Sequence, residues 1–430
     1  MSLKSTFRAL QYKNYRLFFI GQGLSLIGTW MQRIATSWLV YRLTNSVVLL
    51  GITGFAGQIP TFFLSPFGGI IADRWNRKNI LLVTQILALL QALLLAVLVL
   101  TNAINVYLII ILNVCLGVIN AFDITARQSF VVEMIEDKKD LGNAIALNSS
   151  MVNGARLVGP SITGILIAFA GEGVCFLINA LSYVVIIVAL LAMKIVPREK
   201  ILKKTNVISD FREGFVYVCK SVPMRSTIVL LALVSLMGVP YQVLMPVFAK
   251  QILGGGPHTF GFLMGATGLG ALTGAMYLAS RKNVHKIWKM IPVSAVVFGI
   301  GLITFSLSKN LWISLALLLI VGWGMMVQMA SSNTLLQVLV DDDKRGRIMA
   351  FYAMAFMGMV PFGSLIAGSL GKIIGVRGTV FLGGVLCILG AFYFSGDIHS
   401  ARDIMTTGGK KITPIMEEGI ESSKEVSDSL

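Results

Sequence analysis

Charged side chains are scarce in this sequence and apolar ones are abundant: 13% of the 430 residues are charged and 56% are apolar. Soluble domains carry about 25% charged residues, because their surfaces face water. A soluble protein of this length would leave a large apolar surface in water, whereas a bilayer interior solvates such surface. The composition therefore excludes an ordinary soluble domain and favours a membrane protein.

Cysteine and histidine are also rare, with four and three residues that do not cluster in the sequence. Their positions provide neither metal-site spacing nor a disulfide framework. No run matches the Gly-x-x-x-x-Gly-Lys-Ser/Thr pattern of a phosphate-binding loop, and no serine has a base in a plausible catalytic arrangement. These absences predict no metal, no cofactor and no enzymatic activity.

The apolar residues form long runs, each close to the length of about 20 residues that crosses the hydrocarbon layer as a helix. Helices satisfy their own backbone hydrogen bonds in lipid, so the runs predict an all-α membrane protein with twelve transmembrane helices. The predicted spans are 17–40, 47–71, 79–101, 104–124, 141–169, 173–195, 226–249, 258–280, 288–308, 311–335, 348–371 and 376–396.

Lysine and arginine are distributed unevenly around these spans. Of the 36 basic residues, 29 lie in or beside segments on the side of the N-terminus, and five lie on the opposite side. Basic residues concentrate on the cytoplasmic side, so we predict a multi-pass protein of the plasma (inner) membrane with cytoplasmic N- and C-termini. The formal net charge of +16 then reflects topology beside lipid headgroups, and no nucleic-acid binding is predicted.

A polar stretch divides the predicted spans into six and six. We predict a six-helix bundle at 1–196, a cytoplasmic linker with an amphipathic segment at 197–225, a second bundle at 226–398 and a disordered cytoplasmic tail at 399–430. In this arrangement Glu172 falls in a short loop on the outer side.

Glycines recur between the two halves at nearly constant shifts. Gly164 matches Gly368 at a shift of 204 residues, and Gly51 matches Gly261 at a shift of 210. Repeated halves related by an axis along the membrane normal are a transporter architecture, with the substrate site near the midplane between them. The repeat therefore predicts two pseudo-symmetric bundles around a central site.

The loop between the second and third spans carries a compact pattern of one glycine, one acid and three basic residues, namely Gly69, Asp73, Arg74, Arg77 and Lys78. The pattern resembles the signature of the major facilitator superfamily in this loop. It departs at Asn76, where the family usually has glycine, and asparagine tolerates the left-handed backbone of a tight turn. The resemblance implies a latch that joins the halves in the outward-facing state, with Asp123, Glu133 or Glu136 as partners for the basic residues. The alternative is a basic anchor that serves topology alone.

The fifth span contains Gly159, Pro160 and Gly164, and resembles the Gly-Pro motif of exporting branches of the superfamily, with Thr163 replacing one glycine. Small residues let helices approach closely and proline loosens the helix, so the segment can bend. Further similarity at 123–128, 141–149, 176–182 and 345–350 resembles the branch of the enterobactin exporter and macrolide-efflux proteins. The resemblance implies export, and the alternative is close packing with no directional meaning.

Few charges lie within the spans or at their ends: Arg33, Asp123, Arg127 and Arg156 are the candidates for coupling or binding. A charge in a span is costly and is a functional hypothesis by default. Asp123 either pairs with Arg33 or Arg156, carries a proton, or extends to the headgroups. Alternatively, the two arginines meet an anionic part of the substrate. Asn113 stands where drug exporters of the superfamily often carry an arginine for proton coupling.

Polar and aromatic residues at matching places in the first and seventh spans are candidates for the substrate cavity: Trp30, Gln32, Tyr241 and Gln242. Pro240 and Pro246 interrupt helical hydrogen bonding near two of them, as is common where backbone lines a cavity. For the aromatic residues, packing or anchoring at the membrane interface is the alternative.

The sequence therefore predicts a secondary active exporter that moves a small amphipathic organic solute, such as a drug, a siderophore or a lipid-like metabolite. The resemblance implies alternating access with proton antiport, so the predicted partners are the solute, protons and the bilayer, and a monomer suffices. Proton-coupled uptake and a transporter-like membrane sensor are the rival functions.

Overall fold

The computed structural model describes residues 7–194, 207–281, 287–341 and 344–399, and helices dominate these ranges. The predicted tail and the first part of the linker, at 400–430 and 197–206, lie outside the described residues. The all-α prediction is thus confirmed over the part of the chain that the structure describes.

The first half forms five long helical runs, of which the last is bent. They are α1 (Lys13–Thr44), α2 (Val47–Arg74), α3 (Arg77–Leu100), α4 (Val106–Phe130) and Leu141–Ala192, whose two arms are α5 (141–170) and α6 (172–192).

The amphipathic helix α7 (Val207–Lys220) precedes the second half, which contains three short π-helical turns. The helices of the second half are α8 (Val222–Leu233), α9 (Tyr241–Val247), α10 (Pro257–Ala279), α11 (Ile287–Leu307), α12 (Leu311–Leu339), α13 (Arg345–Ala353), α14 (Met359–Ile373) and α15 (Gly375–His399). The π turns at Val234–Gly238, Phe248–Ile252 and Met354–Gly358 join or extend these helices.

Ten helical runs in the described residues are long and apolar enough to cross a membrane. One of them, Leu141–Ala192, has 52 residues and its two arms are each long enough to cross, while α1 adds a 32-residue helix with more polar side chains. Counting α8–α9 and α13–α14 as one span each gives the predicted twelve, six in each half.

Short connections end in side chains that cap the next helix. Ser46 Oγ accepts a hydrogen bond from Leu49 N, and Asn105 Oδ1 accepts one from Leu108 N. Such N-caps satisfy backbone donors that have no partner within the helix. The sequence thus fixes where α2 and α4 begin, although both start next to apolar runs.

The predicted short loop between the fifth and sixth spans is a tight bend centred on Gly171. The chain passes from α5 to α6 through Gly171, whose φ of 78° and ψ of 173° are readily adopted by glycine alone. Glu172 follows this bend directly and is buried, with Arg42 donating to both of its oxygens at 2.7 and 3.2 Å. The expected outer-loop residue is therefore an internal anchor between α1 and α6.

The two halves meet mainly along two helix pairs, α2 with α14 and α5 with α10. We call the end of the bundle that carries Arg74, Arg77 and Lys139 the basic face, and the end that carries Asn45 and Gly171 the far face. Near the far face, a Cβ placed on Gly164 would lie 2.7 Å from Gly261 Cα, and one on Gly51 would lie 2.9 Å from Gly368 Cα. These four glycines are those related by the sequence repeat, so the two crossings are pseudo-symmetric.

Candidate functional site

A cavity of about 210 Å³ lies between the two halves, below the glycine crossings. Its first-half lining comes from the middle of α1, the start of α2 and the middle of α4. Its second-half lining comes from the segment 239–243 and from α10 and α14. The polar lining residues are Thr29, Gln32, Arg33, Thr36, Ser37, Thr53, Gln58, Asn113, Asn120, Gln242 and Ser364, and Trp30 adds an indole ring.

Within the part of the chain that the structure describes, the lining is rich in hydrogen-bond donors and includes no aspartate or glutamate. Two of its polar atoms, Gln242 Nε2 and Thr36 Oγ1, are buried without a hydrogen-bond partner among the described residues. Unpaired buried polar atoms cost about 1–3 kcal/mol each, so their presence at a cavity points to a ligand or ordered water that pairs with them.

Gln32 lines the cavity, but its amide is already occupied within the first half. Its Oε1 accepts from Asn179 Nδ2 at 2.6 Å, and its Nε2 donates to Gln91 Oε1 at 2.9 Å. Gln91 in turn donates to the carbonyl of Leu112 at 3.3 Å. This chain of amides ties α1, α3, α4 and α6 together, so we assign Gln32 to holding the cavity wall rather than to free solute contact.

Trp30 brings the two predicted intramembrane arginines together. The guanidinium carbons of Arg33 and Arg156 lie 5.4 and 5.7 Å from the centroid of its ring, distances at which cation–π attraction operates. Arg33 is exposed to the cavity, and Arg156 reaches Met325 Sδ at 4.0 Å on α12 of the second half. The cluster therefore stands at the boundary between the halves.

Tyr241 does not line this cavity, contrary to the prediction. It is 2% exposed, its hydroxyl lies 3.5 Å from Thr267 Oγ1, and its ring packs edge-on against Phe298. Pro240 precedes α9 and Pro246 lies inside it, between two π-helical turns, but the turn directs Tyr241 into the second bundle. Its neighbour Gln242 takes the place at the cavity instead.

Asp123 pairs with neither Arg33 nor Arg156, so that predicted partnership was wrong. Its Oδ1 accepts from Gln85 Nε2 at 2.7 Å and Thr84 Oγ1 at 3.1 Å, and its Oδ2 lies 3.5 Å from Arg127. The physical reason is helical spacing: Arg127 stands four residues away on the same face of α4. Asp123 thus joins α3 to α4 from a buried position.

The motif loop lies at the basic face and organises the first half. Arg77 pairs with Glu133 at 2.8 Å, one of the predicted acids, whereas Lys78 Nζ donates to the carbonyl of Met193 at 2.7 Å. Asn76 has a φ of −69° and accepts from Lys78 N and Asn79 N, so it is the N-cap of α3 and not the expected left-handed turn. Gly69 lies in the last turns of α2, which ends at Arg74, and the side chain of Asp73 lies outside the described part of the chain.

The fifth-span motif lies between two neighbouring helices. A Cβ on Gly159 would lie 2.6 Å from Trp30 Cβ on α1, while Gly164 contacts α10 as described above. Pro160 is buried between them within α5. The motif thus sets how closely α5 approaches both its own bundle and the opposite one, and it places Trp30 beside Arg156.

Sequence reasoning missed several lining residues, above all Asn113, Asn120, Thr53 and Ser364. A signal was present, since each is a polar residue in an otherwise apolar span, where burial is costly without a role. Which polar residues of a span face the cavity depends on how the helix is rotated. The sequence does not reveal that rotation, because most spans are apolar on all faces.

Comparison with known proteins agrees with this architecture. The transmembrane secretion effector family matches residues 4–399. The staphyloferrin A transporter of Staphylococcus aureus (strain NCTC 8325 / PS 47) is 25% identical over 382 residues, covering 88% of this chain and 95% of the relative. Macrolide efflux protein A of Streptococcus pyogenes is 21% identical over 387 residues, covering 88% and 95%.

A solved structure shows the same fold. A bacterial homologue of the human lysosomal transporter Spinster, in an inward-facing and unoccupied conformation, superposes with a TM-score of 0.73 at 13% identity, covering 90% of this chain and 97% of that one. The family match spans both bundles, and the predicted resemblance is confirmed. The chain therefore belongs to the transmembrane secretion effector family, a family of major facilitator membrane transporters and not of enzymes.

Proposed function

We propose that this transporter exports a small amphipathic organic solute by alternating access. The observation that carries the proposal is the central cavity between the halves, closed toward the far face by the two glycine crossings. Rocking of the bundles at 1–196 and 226–398 about these crossings would open the far face and close the basic face. A single chain supplies every part of this mechanism.

The proposed direction is from the basic face to the far face. Basic residues favour the cytoplasmic side, so the basic face, with both termini, is placed in the cytoplasm of the plasma (inner) membrane. The relatives named for staphyloferrin A and for macrolide efflux support an organic solute, and the macrolide protein and the Gly159–Pro160 motif support export. In the outward-facing state, the loop of Asp73, Arg74, Arg77 and Lys78 would latch the halves at the basic face.

Proton antiport is the proposed energy source, but Asp123 is a poor candidate for the carrier. Hydrogen bonds from Thr84 and Gln85 engage its Oδ1 and Arg127 faces its Oδ2, so a structural role that holds α3 against α4 already accounts for its contacts. Coupling through another group, or through the solute itself, fits the surroundings of Asp123 better.

Everted membrane vesicles provide the direct test. We expect vesicles with the basic face outward to accumulate members of a fluorescent amphiphile panel when a proton gradient is imposed, and to lose the accumulation when the gradient is collapsed. Right-side-out vesicles under the same gradient should not accumulate them. Initial rates measured in both orientations, with vesicles lacking the protein as the blank, give the direction.

Accumulation in the right-side-out vesicles alone would support proton-coupled uptake instead. The sensor alternative is separated by truncation before Ser400: a transporter should retain its flux, whereas a sensor that signals through its tail should lose its output. Gradient-independent flux in the everted vesicles would keep the export and remove the proton antiport.

A further inference from the structure

Arg33 and Arg156 are two positive charges in the membrane interior whose surroundings contain no compensating acid. Among the described residues, neither has a carboxylate oxygen within 4.0 Å. Their charges are also close enough to interact with each other. Arginine stays protonated in such sites, so the pair is a persistent concentration of positive charge.

Other arginines of the same half show what a structural arginine looks like here. Arg42 binds Glu172 through two hydrogen bonds, and Arg127 faces Asp123. These two acids, which lie within the long helices of the first half, are thus already engaged. Because uncompensated charge in a span is costly, Arg33 at the cavity and Arg156 beside the same indole ring require a purpose other than packing.

Trp30 and Gly159 hold the arginines in place. The indole ring contacts both guanidinium groups, and the absence of a side chain at Gly159 leaves room for Trp30 Cβ, 2.6 Å from where a Cβ would stand. Cation–π contact orients a guanidinium plane without neutralising its charge. Both guanidinium groups therefore keep their positive charge beside Trp30, at the boundary between the bundles.

We infer that the transported solute is an organic anion whose carboxylate-like group binds between Arg33 and Arg156 beside Trp30. The inference rests on the proposed transport function and specifies its substrate class. Guanidinium groups bind carboxylates through paired, charge-assisted hydrogen bonds, and the unpaired Gln242 Nε2 and Thr36 Oγ1 offer further donors. The mixed lining, which includes Phe260, Met264 and Val360, accommodates the apolar part.

The same placement connects binding to the movement of the halves. Arg33 belongs to the first half, Gln242 to the second, and Arg156 spans the boundary to Met325. An anion held by both sides would replace the repulsion between the two arginines with attraction. Binding of the solute would therefore favour the state in which the halves close around it.

The test uses the purified full-length protein and thermal unfolding, so it does not depend on measuring transport. The probes are citrate, a naphthalene carboxylate, the corresponding neutral carboxamide and the corresponding methylammonium cation. We expect both carboxylates to raise the unfolding midpoint of the wild type in a concentration-dependent manner, and the amide and the cation to do so far less. Arg33→Gln and Arg156→Gln should each weaken carboxylate binding about 10- to 100-fold.

Arg16→Gln is the matched control, because Arg16 is an exposed residue of the same helix α1. This variant should bind carboxylates as the wild type does. Without ligand, Arg33→Gln and Arg156→Gln should unfold at a higher temperature than the wild type, since each removes an uncompensated charge.

Three outcomes would overturn the inference: equal affinity for the carboxylate and the carboxamide, no stabilisation by either carboxylate at millimolar concentration, or lower intrinsic stability of both arginine variants with unchanged carboxylate binding. Failure of vesicle transport with normal carboxylate binding would instead count against the proposed transport cycle and leave the anion site standing.

Discussion

Replacing Gly164 with alanine is expected to reduce transport at least tenfold while the protein still folds. The added Cβ would lie 2.7 Å from Gly261 Cα and 2.8 Å from the carbonyl oxygen of Pro257. Both are backbone atoms, so no side-chain rotation relieves the overlap, and the helices α5 and α10 must separate. Overpacking of this kind costs about 1–3 kcal/mol, enough to shift a two-state equilibrium by roughly 10- to 100-fold.

The shift should favour the state that is open at the far face, because the overlap exists only when that face is closed. A cysteine introduced at Thr36, which lines the cavity, reports this opening in a background that lacks the four native cysteines. We expect a membrane-impermeant maleimide added from the far face to label this cysteine faster in the Gly164→Ala variant than in its parent.

Gly154→Ala on the same helix is the matched control. A Cβ on Gly154 meets no atom within 4 Å, and alanine is the better helix former, so flux and labelling should match the parent protein. Gly51→Ala tests the pseudo-symmetric crossing, where the added Cβ would lie 2.6 Å from the carbonyl oxygen of Ser364. Wild-type flux in Gly164→Ala would show that close contact of α5 with α10 is not part of the cycle.

Much of the fold could be predicted from the sequence, because the bilayer restricts which backbone structures can cross it. Every span must satisfy its own backbone hydrogen bonds, so a run of about 20 apolar residues predicts both helix and burial in the membrane. The glycine repeat also proved informative, since the four glycines matched by sequence shift are those at the two crossings, where Gly164 meets Gly261 and Gly51 meets Gly368. The sequence did not predict the tightness of the bend at Gly171 or the three π-helical turns of the second half, because both depend on local backbone angles that apolar runs do not specify.

The site was predicted less well because partner choice depends on helix rotation. Gln32, Trp30 and Gln242 do lie at the cavity, but Tyr241 does not, although it is adjacent in sequence to Gln242. Asp123 offers the clearest case: the nearest arginine in the folded chain is Arg127, one helical turn away, whereas the sequence pattern favoured more distant partners. The same helix rotations leave Arg33 and Arg156 without an acidic partner among the described residues, because Glu172 pairs with Arg42 and Asp123 with Arg127.

Asp123→Asn is expected to destabilise the protein without removing gradient-driven transport from the molecules that fold. The substitution removes the charge that faces Arg127 and places an amide nitrogen among donors from Gln85 and Thr84. The pair is mostly buried, with side-chain exposures of 8% and 19%, so we expect a loss of about 2 kcal/mol, between the values for exposed and fully buried pairs.

A second substitution distinguishes an anchor from a proton carrier. Asp123→Asn combined with Arg127→Gln removes both charges. The double variant should unfold at a higher temperature than Asp123→Asn alone, because no uncompensated arginine remains at this pair. If Asp123 is an anchor, everted vesicles normalised to folded protein should show the same proton dependence for the wild type and both variants. A well-folded Asp123→Asn protein that binds solute but no longer responds to the gradient would identify Asp123 as the carrier. In that case the hydrogen bonds from Thr84 and Gln85 would have to break during the cycle, because both donors occupy Oδ1 of Asp123 in the state described here.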